Sequence, residues 1–96
     1  MNGVMTMADG QNREEHLELL RHQRHLLVTL QSEITVKRRH LAELDPGEFW
    51  TSRSQRAYSN QVDEVTQDLD ATLHYLNAAL DTVREQIRQE EHLCLA

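Results

Sequence analysis

The chain contains few of the residues that build cross-links, tight turns and membrane spans. Its 96 residues include one cysteine, one proline and three glycines, and only 4% of them are aromatic. The single cysteine, Cys94, excludes an internal disulfide and a cysteine metal cluster. The glycines form no phosphate-binding loop. No apolar run reaches the ~18 residues of a membrane span, so we expect none.

Residues 1–10 lack the features of a secretory signal peptide. They contain no lysine, no arginine and no apolar core segment. We therefore expect a cytoplasmic protein, with export by a route that reads no cleaved signal as the alternative. We also expect residues 1–10 to form a disordered tail.

The charge balance is acidic and excludes two classes of partner. Ten lysines and arginines against 16 aspartates and glutamates give a formal net charge of −6. A nucleic-acid binder would normally present a basic face, and an anionic membrane surface attracts basic segments. We expect neither of these partners. The length allows one domain at most.

Helical periodicity predicts a first helix from about Gln11 to Leu44. Apolar residues recur along it at steps of three, four and seven, which places them on one face. The predicted stripe consists of Leu20, Leu27, Leu30, Ile34 and Leu41. Leu17, Leu19 and Leu26 widen this apolar face towards the N-terminus.

A break at residues 45–51 separates this helix from a second one. Pro46 and Gly47 end the first helix, because proline lacks an amide proton and glycine tolerates the left-handed conformation. Ser52 and Gln55 have the spacing of a capping box, which starts a helix at about residue 52 that runs to Glu91. Its apolar stripe is Tyr58, Val62, Val65, Leu69, Leu73, Leu76, Leu80, Val83 and Ile87.

Residues 11–96 are therefore predicted to be all-α, an antiparallel two-helix hairpin. The apolar face of each helix is wider than the seam between two helices requires. A small aliphatic core also gives little stability at this length. We expect two hairpins to join into a four-helix bundle through the two stripes. The partner is a second copy or a different chain, and the sequence leaves both open.

No group of side chains in the sequence predicts an enzyme, a metal site or a cofactor. His22 and His25 share one helix face, but two imidazoles hold a metal only with further ligands. Cys94 has no evident base or pocket. The basic cluster Lys37-Arg38-Arg39 is expected to pair with acids of the second helix. The expected partners are Asp63, Glu64 and Asp68.

Phe49 and Trp50 are large aromatic residues in a turn, where small polar residues are usual. One interpretation is a plug that closes the open end of a bundle. The other is an exposed anchor that a partner recognises. The two interpretations are compatible with each other.

These residues resemble the WXG family, the early-secreted-antigen-like hairpins of type VII secretion. The resemblance covers about residues 13–91 and is most specific between Phe49 and Leu80. Trp50 matches the family tryptophan, and the Ser-Arg-Ser-Gln-Arg-Ala-Tyr segment after Thr51 is similar to the start of the family's second helix. The resemblance implies a non-enzymatic protein that forms homodimeric or heterodimeric four-helix bundles. It also implies export without a cleaved signal, or service as the targeting or chaperone partner of a larger effector.

Two residue patterns depart from the family. Ser52 replaces the glycine of Trp-x-Gly, although serine is a good helix N-cap. The family's Tyr-x-x-x-Asp/Glu export signal is missing, because Val62 and Ala79 stand four residues after the two tyrosines. The resemblance then implies a partner that contributes the signal, such as another hairpin or the N-terminal helices of an effector, and contact with the secretion machinery. The alternative is a cytoplasmic coiled-coil adaptor or scaffold subunit.

Overall fold

The protein consists of two long helices and has no strand among its described residues. The computed structural model describes residues 2–44 and 52–95, with side chains from residue 10 onward. Helix α1 spans Asn2–Leu44 and helix α2 spans Arg53–Leu95. The predicted all-α helical hairpin is confirmed. Its association into a four-helix bundle stays a prediction.

The helix boundaries are wider than the sequence pattern suggested. Helix α1 begins at Asn2 instead of near Gln11, and so includes most of the segment that was expected to be a disordered tail. No proline interrupts residues 2–10, and each of the two glycines there, Gly3 and Gly10, costs only about 1 kcal/mol inside a helix. Helix α2 continues past Glu91 to Leu95, because no proline or glycine follows. Neither helix has an apolar stretch that would cross a membrane within its described residues.

The start of α2 is fixed by the predicted capping box. The Ser52 amide donates to Gln55 Oε1 at 3.1 Å, and the Gln55 amide donates to Ser52 Oγ at 3.1 Å. The Arg56 amide donates to the Ser52 carbonyl oxygen at 2.9 Å. This reciprocal pairing satisfies amides that the first turn of a helix leaves unbonded. The predictions for Pro46, Gly47, Phe49 and Trp50 fall outside the described residues.

The chain divides into two compact units, each made from a segment of both helices. The terminal unit comprises Met1–Val28 and Ala78–Ala96. Its core contains a cluster of aliphatic side chains, and Leu80, which is 2% exposed, is also buried in this unit. The cluster members that pack together are Leu17, Leu20, Leu27, Val83 and Ile87. Burying one such side chain stabilises the fold by roughly 1.5–3 kcal/mol.

The turn unit comprises Thr29–Asn77. Val62 is its one buried hydrophobic residue among those described. The other seam residues are half-buried, and they are Ile34, Leu41, Leu69, Leu73 and Leu76. Polar side chains also cross its seam, since Gln31 donates to Asn77 and Arg38 donates to Asp70. Arg38 lies seven residues after Gln31 on α1, and its partner Asp70 lies seven residues before Asn77 on α2. The two segments therefore run antiparallel.

Candidate partner-binding surface

Most of the predicted interface residues face the seam of their own unit. Those that are buried are Leu20, Val62, Leu80, Val83 and Ile87. Those that are half-buried are Leu27, Ile34, Leu41, Leu69, Leu73 and Leu76. Only Leu30, Tyr58 and Val65 of the predicted set are exposed, at 43%, 46% and 45%. The predicted stripe therefore combined two surfaces, one inside the hairpin and one open to a partner.

The prediction from apolar spacing omitted one row of seam residues on α1. Leu17 is only 6% exposed and belongs to the core of the terminal unit. Residues Arg24, Gln31 and Arg38 follow it at intervals of seven and are half-buried. A search for apolar residues alone passes over this row because three of its four members are polar. A search for the heptad interval would have found it.

The turn unit has a polar edge along one side of its seam. We define this edge as Gln31, Arg38, Asp70 and Asn77. The Arg38 guanidinium binds Asp70 at two points, from Nε to Oδ1 and from Nη2 to Oδ2, the second at 3.2 Å. This bidentate geometry is the strongest form of arginine–carboxylate contact. The partner of Arg38 is therefore Asp70, whereas Asp63, Glu64 and Asp68 had been expected.

The ion pair shifts the pKa of both partners. The hydrogen bond from Arg38, together with its positive charge, holds the pKa of the Asp70 carboxyl below its ordinary value. The same hydrogen bond raises the pKa of Arg38. Both side chains are about half exposed to solvent, at 41% and 49%. Solvent screening therefore keeps the contribution of this pair to stability modest.

The opposite side of the turn unit is apolar and exposed. We define this apolar edge as Leu30, Leu44, Tyr58 and Val65, which are 43–54% exposed. Each residue advances about 100° around a helix axis. On α2, Asp70 therefore lies about 100° to one side of Leu69, while Val65 lies about 40° to the other side.

The apolar edge includes residues of both helices. On α1, Arg38 and Leu30 lie four residues after and before Ile34, so they flank it on opposite sides. Because the segments are antiparallel and Arg38 meets Asp70, Leu30 lies on the same side of the unit as Val65. The exposed row along this side of α2 is Tyr58, Gln61, Val65, Asp68 and Thr72, which includes one charge. On α1, the exposed Lys37 lies seven residues from both Leu30 and Leu44 and therefore on the same side of the helix. The surface is thus open and combines exposed apolar side chains with charges, among them Asp68 and Lys37.

The terminal unit also has a polar side and an exposed apolar side along its seam. Arg21 Nη2 donates to Glu91 Oε1 at 3.2 Å on one side of its seam. Leu19 and Leu26 are seven residues apart on the other side of α1, and each is 53% exposed. Arg21 and Leu19 flank the buried Leu20 directly, which places them on opposite sides of it.

The described residues bring together no cluster of metal-binding side chains. No group of three or more histidine, cysteine, aspartate or glutamate side chains converges among residues 10–44 and 52–95. His22 and His25 are exposed, and Cys94 is an exposed free thiol. Of the predicted turn motif, Ser52 is described and caps α2, whereas Phe49 and Trp50 lie outside the described residues.

The comparisons with known proteins found no match. Neither the protein-family models, nor the curated proteins, nor the solved structures contain a significant match to this chain. The resemblance to the WXG family therefore rests on Trp50 and the residues that follow it.

Proposed function

We propose that this chain is a non-enzymatic protein–protein interaction module that pairs with a second helical hairpin to complete a four-helix bundle. The observation that carries this proposal is the apolar edge of the turn unit. Its four members expose about half of their surface on a unit that has a single buried hydrophobic residue among those described. Exposed apolar side chains that gather on one side of a unit are typical of a site of association.

The chemistry of the edge favours a helical partner. The exposed α2 row along it has apolar residues at steps of seven and one charge, Asp68. A partner helix with an aliphatic stripe would cover the apolar side chains of this edge, with polar or oppositely charged residues beside the stripe facing Asp68 and Lys37. A nucleic acid or an anionic membrane would require a basic row instead.

We further propose that the module is WXG-like and serves type VII secretion. Trp50 and the capping box support this proposal, because Ser52 caps α2 at the place where the family motif has glycine. The missing Tyr-x-x-x-Asp/Glu signal favours the member of a pair whose partner contributes the signal. It equally favours the second candidate, a cytoplasmic adaptor or scaffold subunit.

Association through the apolar edge is tested with Val65→Glu, against Gln67→Glu as the matched control. Both variants add one negative charge to exposed positions of α2, but residue 67 lies away from the edge. We expect V65E to weaken association at least tenfold in light scattering across a dilution series, with unchanged helicity by circular dichroism. The Q67E variant should behave as the wild type.

The mass of the wild-type chain identifies the partner. A mass of twice 11.2 kDa means that a second copy covers the edge. If the chain is a monomer, the same variants are tested by co-purification with helical hairpins from the native host. A monomer that is fully helical and binds no hairpin would contradict the proposal.

Export is tested separately in the native host. We expect the chain, or the partner bound to it, in the culture medium only when the secretion ATPase is active. We also expect Trp50→Ala to lose partner binding or export while it retains its helicity. Retention in the cytoplasm with and without the ATPase would instead favour the scaffold subunit.

A further inference from the structure

One cavity of the terminal unit gathers three arginines in a chain of net negative charge. Arg24 of α1 lines one side of it. The α2 residues that line it are Asp81, Arg84, Ile87, Arg88 and Glu91. Three cations against two acids give the lining a net positive charge, whereas the whole chain is at −6.

Two of these guanidinium groups, those of Arg24 and Arg84, have no acidic partner in the part of the chain that the structure describes. Glu91 is bound by Arg21, and Arg88 is bound to Glu85. Among the residues that the structure describes, no ion pair or side-chain hydrogen bond involves Arg24 or Arg84. Arg24 is also half-buried as a residue.

The spacing of the cross-helix pairs leads to the same two arginines. Arg38 pairs with Asp70, and Gln31 pairs with Asn77. The second pair lies seven residues earlier on α1 and seven residues later on α2 than the first. The next such step in sequence joins Arg24 to Arg84. Each earlier step matches a donor with an acceptor, but this one matches two cations, and both line the same cavity.

We propose that this cavity binds a phosphate-type oxyanion between Arg24 and Arg84, with Arg88 beside it. Guanidinium groups present a planar fork of donors that fits phosphate oxygens, so one divalent anion satisfies both arginines and removes their mutual repulsion. Of the two acids in the lining, Glu91 is already neutralised by Arg21. The site does not depend on the proposed partner, which meets other residues.

The test is thermal unfolding of the full chain in inorganic phosphate, compared with sodium chloride at the same pH and ionic strength. At about five times Kd, we expect phosphate to raise Tm by roughly 4–8 °C above the chloride value. We expect Arg84→Gln and Arg24→Gln to lose this difference. Arg56→Gln removes an equal charge from α2 outside the cavity and should retain it.

A charge reversal provides a second readout that does not rely on a destabilised variant. Arg84→Glu places an acid beside Arg24, so we expect a higher Tm than wild type in low-salt chloride and no response to phosphate. An equal Tm in phosphate and chloride for the wild type would overturn the proposal. A phosphate response that persists in R84Q and R24Q would do the same.

Discussion

The terminal unit and the turn unit are built from the same two helices but are stabilised differently. The terminal unit has five hydrophobic residues that are at most 8% exposed, whereas the turn unit has one among its described residues. The turn unit instead has a bidentate ion pair, a cross-helix amide bond and a capping box. Polar contacts in solvent contribute less than buried aliphatic side chains.

This difference indicates which part of the hairpin lacks a partner. Both units expose apolar residues on one side and pair polar residues on the other, but the turn unit has fewer buried apolar residues between its two segments. Polar cross-helix contacts fix the register of the two segments, since each one has a defined partner. They do not replace the apolar burial that a second hairpin would provide.

The largest expected effect comes from truncating a seam leucine in each unit. Leu20→Ala should lower the free energy of unfolding by about 2–4 kcal/mol, because the 3% exposed side chain leaves a cavity in a packed cluster. Leu41→Ala makes the same change at a half-buried position of α1 and should cost only about 1 kcal/mol. Urea unfolding of the two variants at equal protein concentration measures both values.

Equal costs for the two truncations would contradict the comparison. They would mean that the Leu41 side chain is as well covered in solution as Leu20. Repeating the measurement over a dilution series tests one cause, because coverage by a second copy makes the cost of L41A depend on concentration.

The sequence predicted the helices well and the surfaces poorly. Apolar spacing and the Ser52–Gln55 pair are local signals, and they identified α2 and its first residue correctly. The division of the stripe into seam and edge depends on which side of each helix meets the other. That choice follows from pairs distant in sequence, such as Arg38 with Asp70, which no local pattern contains. Leu17 was missed for the same reason, since polar residues occupy the rest of its row.

A smaller effect is expected from removing the cap of the turn unit. Ser52→Ala loses the acceptor for the Gln55 amide and should cost about 1 kcal/mol of unfolding free energy. Ser54→Ala, in the same turn of α2, is the comparison variant: the Ser54 hydroxyl lies 3.4 Å from Ser52 Oγ but accepts from no described backbone amide of the first turn, so its loss should cost less. Urea unfolding measures both variants. If S52A is no worse than S54A, the cap contributes nothing to the stability of the turn unit.

The smallest effect is expected at the polar edge and depends on pH. Because Arg38 lowers the pKa of Asp70 in the folded state, the pair stabilises the fold at any pH above the unfolded pKa of about 3.9. That stabilisation is lost as the pH falls through the lowered folded pKa. Asp70→Asn should therefore have a lower Tm than wild type at pH 7, and the two should converge as the pH falls below about 4.

The matched control for this pH dependence is Asp68→Asn. Asp68 is exposed in the same unit and has no ion pair among the described residues, so D68N removes an equal charge without breaking an ion pair and should lower Tm less than D70N at pH 7. Added salt should also shrink the D70N difference, because it screens an exposed pair. If acid and salt leave the Tm difference between D70N and wild type unchanged, the polar edge stabilises the turn unit by packing and not by charge. The contrast between an apolar terminal unit and a polar turn unit would then lose its electrostatic part.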